Sequence, residues 1–236
     1  MKKIMLISIT GFCVLSLVVV GTYKWMNART FQMFGNLTSE VKINEKVIAI
    51  TFDDGPTENV DEILTTLEKY EAKATFFLIG REIEKHPEEI EKIVKAGHGI
   101  GNHSYSHERM IFKSRTYYRE EIEKTDELIN QAGYDGQIDF RPPNGKKLIG
   151  LPYYLDKYKR ETIMWNIEPD SISNDPYEKV AYVKEKAKPG SIILLHPMYD
   201  ESRNVIQLLD EILAALTKEG FTFATVNELQ QMASND

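Results

Sequence analysis

Apolar runs of strand length alternate with amphipathic stretches along most of this chain. Strands that are apolar at nearly every position are typical of a parallel sheet with both faces covered by helices. We predict strands at 46–52, 74–79, 99–102, 138–141, 162–167, 191–196 and 222–226. The alternation of strands and helices predicts an α/β fold.

Helices are predicted wherever apolar residues recur at helical spacing between these strands. The clearest apolar faces lie between residues 60 and 67 and between residues 83 and 94. Further helices are predicted at 114–132, 147–159, 177–187 and 204–219. Seven strand–helix units in about 190 residues are few for an eightfold barrel of ~250 residues. We therefore predict an irregular seven-stranded (β/α) barrel, with a doubly wound sheet as the alternative.

The N-terminal segment has a different pattern. Lys2 and Lys3 precede an uncharged run, Ile4 to Tyr23, whose length suits a helix that spans a bilayer. We expect residues 1–23 to be an uncleaved single-pass membrane anchor and residues 24–44 a linker. Residues 45–236 would then form the folded domain, outside the cytoplasm. The alternative is a signal peptide cleaved near Gly21, which would make the protein secreted.

Charge and cysteine content narrow the expected partners. The formal net charge of −7 argues against nucleic acid as a partner. The one cysteine, Cys13, lies in the apolar N-terminal run, so the rest of the chain has neither a disulfide framework nor a thiolate metal site. We expect a monomer that contacts the membrane only through its N-terminal helix.

Polar side chains stand where several predicted strands end. Asp53 and Asp54 follow the first strand, and His103, Arg141 and His196 lie at the ends of three others. In parallel α/β folds the carboxyl edge of the sheet is where ligands bind and chemistry occurs. Adjacent carboxylates at the end of a buried strand also need a cation or a proton, because an unpaired buried charge is costly. The pattern predicts one active site at this edge.

The sequence His103-Ser-Tyr-Ser-His107 brings two imidazoles to one face if the segment turns helically. Alone, this spacing more often reflects unrelated surface or core histidines. With the Asp53–Asp54 pair in the same domain, it predicts a metal site of two histidines and one carboxylate, with a position left for water. Zn²⁺ is the first metal expected, and Co²⁺ and Ni²⁺ also suit these ligands.

The remaining strand-end residues suit hydrolytic chemistry. The aspartate that does not bind metal can act as a general base towards water. Arg141 can orient that base through a charge-assisted pair, the alternative being a surface salt bridge of little energy. His196 can act as a general acid, or can be a hydrogen-bonded core residue. The backbone N–H groups of Asn144 and Gly145 can face a developing oxyanion.

These residues occur in motifs that resemble those of the polysaccharide deacetylases, the fourth family of carbohydrate esterases. Their catalytic region is the NodB homology domain. The resemblance covers about residues 45–230 and includes five motifs in the family's order. The motifs are Thr51-Phe-Asp-Asp-Gly-Pro56, His103-Ser-Tyr-Ser-His107, Arg141-Pro-Pro-Asn-Gly145, the region Glu168-Pro-Asp-Ser171 and Leu194-Leu-His196.

The resemblance implies a role for each residue of the first three motifs. Asp53 would be the catalytic base, and Asp54 would bind the metal together with His103 and His107. Arg141 would pair with Asp53. The backbone amide of the third motif would help to hold the oxyanion.

That oxyanion amide belongs to Asn144, where the family often has tyrosine. In the fifth motif Leu194 would line the pocket for the acetyl methyl group, and His196 would be the general acid. The fourth motif usually ends in Asp-Trp, and its nearest match here is Asp170-Ser171. Asp170 would tune His196, with Glu168 as its competitor. The missing tryptophan leaves one wall of the acetyl pocket unassigned.

Residues and resemblance together predict a metal-dependent hydrolase that removes N-acetyl groups from an N-acetylhexosamine polymer and releases acetate. An outward-facing membrane anchor favours peptidoglycan as the substrate, with a chitin-type glycan next. The alternatives are an O-acetyl esterase acting on a polymer such as xylan, and a catalytically silent homologue that binds the cell wall.

Overall fold

The computed structural model describes residues 2–200 and 204–235, so the ends of the predicted anchor and domain, Met1 and Asp236, lie outside the described residues. The α-helices are α1 Lys2–Met26, α2 Val60–Lys69, α3 Gly80–Lys85, α4 Pro87–Lys95, α5 Arg115–Gln131, α6 Gly150–Lys157, α7 Pro176–Lys186, α8 Asn204–Lys218 and α9 Val226–Asn235. The strands are β1 Leu37–Thr38, β2 Val47–Asp53, β3 Ala74–Leu78, β4 Gly99–Asn102, β5 Thr162–Ile163, β6 Ile192–Leu195 and β7 Thr222–Phe223. Short 3₁₀ helices span Pro143–Gly145 and Pro169–Ser171.

Parallel strands form an irregular barrel. The main sheet has the order β4-β3-β2-β6, with β7 paired to the beginning of β2, and β1 pairs with β5. Isolated parallel bridges connect the two sheets, at Asn102–Phe140, Phe140–Thr162 and Ile167–Ile193. The prediction of parallel strands in an α/β fold is therefore confirmed.

Strand β2 shows how the sequence separates the two sides of the barrel wall. Successive side chains of a strand point to opposite faces. Ile48, Ile50 and Phe52 belong to the core shared with the outer helices, whereas Ala49 belongs to the inner cluster. Asp53 continues the inner set, so its carboxylate reaches the inside of the barrel at the carboxyl end of the strand.

Several predicted strands are shorter in the structure, including the last, which is reduced to β7. Residues 138–141 contribute only the bridge at Phe140, and the strand predicted at 162–167 is reduced to β5. Within residues 162–167 the backbone changes its partner, because Met164 N donates to the carbonyl of Thr38 whereas Asn166 N donates to the carbonyl of Ile192. A continuous ladder with one neighbouring strand therefore ends early. The structure also has a strand, β1, within residues 24–44.

The prediction of an N-terminal transmembrane helix, and with it of a single-pass membrane protein, is wrong. In the described parts of the chain, 2–200 and 204–235, no helix combines the length and the apolarity that crossing a membrane requires. The end of α1 instead contacts the barrel, where the carbonyl of Met26 accepts a hydrogen bond from Lys147 N at 3.1 Å.

Candidate active site

A cavity of about 270 Å³ opens at the carboxyl edge of the barrel strands. It is lined by Asn27, Arg29, Asp53, Asp54, His103, His107, Asn144, Gly145, Met164, Trp165, Glu168, Leu194 and His196. Seven of the nine residues predicted to form the site are among these. The other two, Arg141 and Asp170, lie behind the wall and support Asp53 and His196.

The pair formed by Asp53 and Arg141 is fully enclosed. Arg141 is 0% exposed and donates from Nη1 to Asp53 Oδ1 at 2.7 Å and to Thr51 Oγ1 at 2.9 Å. Its other nitrogens donate to the carbonyls of Ile163 and Met164. Burial alone would raise the pKa of Asp53, but the charge of Arg141, with smaller contributions from His103 and His196, holds that pKa below its usual value. Asp53 is therefore an oriented, ionised carboxylate.

Asp54, His103 and His107 meet as a possible metal site. One ligand atom from each residue lies within 4.8 Å of the others. Asp54 Oδ1 is 3.4 Å from Nε2 of His107 and 3.9 Å from Nε2 of His103. This oxygen is buried without a hydrogen-bond partner among the described residues. A divalent cation would satisfy the orphaned oxygen, and two imidazoles with one carboxylate are a zinc ligand set, so the residues fit a metal.

The surroundings of His103 and His107 favour the neutral form that binds metal. The carbonyl of Arg141 can only accept, so Nδ1 of His103 donates to it at 2.8 Å, which leaves the lone pair on Nε2. Burial lowers the pKa of both His103 and His107, which favours the neutral imidazoles that bind metals. Burial, together with the charge of Asp53, raises the pKa of Asp54, and a bound cation would oppose that shift.

The backbone that carries these ligands is not helical, contrary to the turn considered for residues 103–107. Asp54, Ser104 and His107 adopt positive φ angles of 74°, 65° and 59°. Such angles are uncommon outside glycine and cluster at functional sites. Local hydrogen bonds hold the turn, including His107 N to Ser104 Oγ at 3.0 Å and Ser106 N to Glu121 Oε2 at 2.8 Å.

His196 faces the cavity from the end of β6 and has Asp170 behind it. Its Nδ1 is 3.4 Å from Asp170 Oδ2, and Lys179 Nζ donates to Asp170 Oδ1 at 2.7 Å. Burial opposes the imidazolium, but the hydrogen bond that His196 donates to Asp170 and the charges of Asp53 and Asp54 raise the pKa of His196 overall. A raised pKa suits a proton donor.

Glu168, the alternative to Asp170, has different partners. It accepts hydrogen bonds from Trp165 Nε1 at 3.2 Å and from Arg29 Nη2 at 2.5 Å. Glu168 therefore belongs to the cavity wall, and the carboxylate that contacts His196 comes from Asp170.

The third and fifth motifs form the rest of the wall. Asn144 has a φ of 56° in the short 3₁₀ helix, and Gly145 N donates to the Pro142 carbonyl at 2.8 Å. Of the two amides expected to face an oxyanion, that of Gly145 is thus already used. Leu194, 1% exposed, lies in β6 opposite Thr51 and lines the cavity, as does Trp165.

Sequence reasoning missed Asn27 and Arg29, which line the cavity from the predicted linker. The guanidinium carbon of Arg29 lies 4.8 Å from the centre of the Trp165 ring. The short polar segment that contains both residues lacks a periodic pattern, and only the folded chain brings it to the strand ends. No sequence signal distinguished these residues from solvent-exposed linker residues.

The polysaccharide deacetylase family matches residues 40–174. A peptidoglycan-N-acetylglucosamine deacetylase from Bacillus cereus is 34% identical over 83% of this chain and 93% of its own length. The peptidoglycan-N-acetylmuramic acid deacetylase PdaA from Bacillus subtilis is 31% identical over 78% of this chain and 72% of its own length.

A solved structure extends the comparison to the fold. A CE4 family pseudoenzyme from Bacillus anthracis superposes with a TM-score of 0.75 at 28% identity, over 85% of this chain and 70% of the other. Fold similarity alone therefore does not establish activity in this group. The family match and the B. cereus relative nevertheless confirm the resemblance drawn from the five motifs. This chain belongs to the polysaccharide deacetylase family.

Proposed function

We propose that this protein is a metal-dependent N-deacetylase that releases acetate from N-acetylglucosamine residues of peptidoglycan. The observation that carries the proposal is the juxtaposition of Asp53, the Asp54–His103–His107 cluster and His196 around one cavity. The B. cereus and B. subtilis relatives, both named for deacetylation of peptidoglycan sugars, support this polymer as the substrate. A chitin-type glycan is the next candidate.

The metal would be held by Asp54, His103 and His107, with Zn²⁺ first and Co²⁺ or Ni²⁺ also suited to the ligands. When bound, such a cation polarises the acetamide carbonyl and makes water more acidic. Asp53, ionised and oriented by Arg141, removes a proton from the attacking water. A C–O bond then forms at the acetamide carbon.

The other side of the cavity completes the hydrolysis. The backbone N–H of Asn144 donates to the developing oxyanion, and Leu194 packs against the acetyl methyl group. His196 gives its proton to the sugar nitrogen as the C–N bond breaks, which leaves acetate and a free amine. Asp170 holds His196 in orientation and keeps it protonated.

Asp170→Asn should shift the pH profile of kcat. His196 acts as an acid only when protonated, so its raised pKa sets the alkaline limb of the profile. The substitution removes the negative charge beside His196, which lowers the pKa of His196, and the alkaline limb moves to lower pH. Steady-state rates across pH measure this shift. A variant that is slower at every pH with an unmoved limb would contradict the role given to Asp170.

The proposed function is tested by measuring acetate release from purified peptidoglycan and from N-acetylglucosamine oligomers. We expect acetate from both, together with new free amines on the sugar. Release from O-acetylated xylan alone would favour the esterase alternative. No release from any of these glycans, by metal-loaded protein, would favour a silent homologue and contradict the proposal.

A further inference from the structure

Most of the cavity wall comes from the strand ends, but one part comes from the segment that follows α1. Asn27 and Arg29 line the cavity from this segment. Of the cavity-lining residues that the structure describes, Arg29 is the only lysine or arginine. None of the catalytic steps proposed above involves Asn27 or Arg29.

The segment is fixed to the barrel by the two lysines that follow the third motif. Lys146 Nζ donates to Asn27 Oδ1 at 2.7 Å, and Lys147 Nζ donates to the carbonyl of Ala28. Lys147 is only 1% exposed, and burial lowers its pKa to about 8. A buried ammonium with a carbonyl as its partner holds that carbonyl firmly, because separating them would leave a charge unsatisfied. Arg29 therefore starts from an anchored backbone.

The Arg29 side chain is itself held in place above Trp165. Its guanidinium carbon is 4.8 Å from the centre of the Trp165 ring, and its Nη2 pairs with Glu168 Oε2 at 2.5 Å. Glu168 also accepts from Trp165 Nε1 at 3.2 Å. The Arg29 side chain remains 41% exposed, and only its Nη2 is paired, with Glu168, among the described residues. Arginine carries five N–H donors, so several stay available to a ligand.

In the part of the cavity wall formed by Asn27, Arg29 and Glu168, the positive charge of Arg29 is balanced by the negative charge of Glu168. This balance determines which sugars the wall can bind. A hydroxyl group both donates and accepts, so it can accept from Arg29 or Asn27 and donate to Glu168. A free carboxylate placed at the same wall would gain from Arg29 but meet the like charge of Glu168. The wall therefore suits a neutral sugar better than an acidic one.

We propose that Arg29, with Asn27 and Glu168, binds hydroxyl groups of the sugar whose acetamido group is hydrolysed, and favours a neutral N-acetylhexosamine over one that bears a free carboxylate. This inference rests on the function proposed above for the same cavity. It makes Arg29 a specificity-determining residue supplied by the chain outside the five motifs.

The test compares two substrates for wild type and Arg29→Ala. For a tetramer of N-acetylglucosamine, we expect kcat/KM to fall about 10- to 100-fold, the usual contribution of a hydrogen bond from a charged donor, mainly through KM. For 4-nitrophenyl acetate, which has no sugar, we expect no change beyond about twofold, because Asp53 and His196 are intact. The kcat/KM of Arg29→Lys for the tetramer should fall between those of wild type and Arg29→Ala. Arg115 is an exposed arginine outside the cavity, so Arg115→Ala should have the kcat/KM of wild type.

Glu168→Gln tests the selectivity separately. The substitution removes the negative charge that repels a carboxylate on the sugar. We therefore expect a smaller preference for N-acetylglucosamine oligomers over glycans rich in N-acetylmuramic acid whose carboxylate is free. If Arg29→Ala lowered kcat/KM equally for the tetramer and for 4-nitrophenyl acetate, the proposal would be overturned. An unchanged KM for the tetramer would also overturn it. Measuring tetramer binding by calorimetry distinguishes the proposed deacetylase function from the proposed role of Arg29 in binding the sugar. Arg29-dependent binding without acetate release would contradict the proposed function alone, and binding unaffected by Arg29→Ala would contradict this inference alone.

Discussion

Asp53→Asn should lower kcat for acetate release by about 10²- to 10⁴-fold, the usual contribution of a general base. The amide cannot accept the proton of water, although its oxygen can still accept from Arg141. The substitution also leaves the fully buried Arg141 without its carboxylate partner. Breaking a buried pair typically lowers the free energy of unfolding by about 3–5 kcal/mol. Rates and denaturant unfolding of the same preparation measure both effects.

Asp139→Asn is the matched control for this prediction. Asp139 is also buried, at 4% exposed, and accepts from Gln137 and Asn227 away from the cavity. Burial raises the pKa of Asp139 to about 6, so the loss of its charge relieves a cost of burial and does not strand a buried cation as Asp53→Asn does. We expect its conversion to asparagine to leave kcat unchanged. Asp53→Asn with near wild-type kcat would show that another group removes the proton.

Asp54→Asn should abolish stabilisation by zinc while leaving the metal-free fold intact or more stable. Asp54 Oδ1 is buried without a hydrogen-bond partner in the described chain and lies beside a second carboxylate, so its charge is a cost until a cation binds. At 100 times its Kd, zinc would stabilise wild type by about 2.7 kcal/mol, or about 5–10 °C in Tm for a chain of this size.

Thermal melts with and without zinc measure this difference. The metal-free variant should melt at or above the Tm of metal-free wild type, because the raised pKa of Asp54 marks a carboxylate whose ionised form destabilises the fold at neutral pH. That destabilisation disappears as the pH falls through the raised pKa. A zinc-dependent Tm rise in Asp54→Asn equal to that of wild type would place the metal elsewhere.

The strand pattern allowed much of this architecture to be predicted. Val47–Asp53 is apolar at almost every position, and the structure has it as the buried central strand β2. Once parallel strands were predicted, their carboxyl ends had to meet, and Asp53, His103 and His196 do lie around one cavity. What the pattern could not supply was local geometry, such as the positive φ angles that replace a helical turn at Ser104 and His107.

The N-terminal segment marks the limit of such reasoning. Length and lack of charge predicted a membrane helix, but no helix among the described residues meets the requirements for crossing a membrane. The same criteria treated Arg29 as a linker residue, yet it stacks on Trp165 and pairs with Glu168. These are contacts between residues more than a hundred positions apart, and no local pattern encodes them. The choice between Asp170 and Glu168 near His196 likewise needed the folded loop.

The central claim is that a cation held by Asp54, His103 and His107 is required for deacetylation at this cavity. Its most direct test is acetate release from N-acetylglucosamine tetramer by chelator-treated protein as zinc is added back. We expect no release without metal, then a rate that rises in proportion to zinc and levels off at one ion per chain. Full activity of the chelated protein would contradict it.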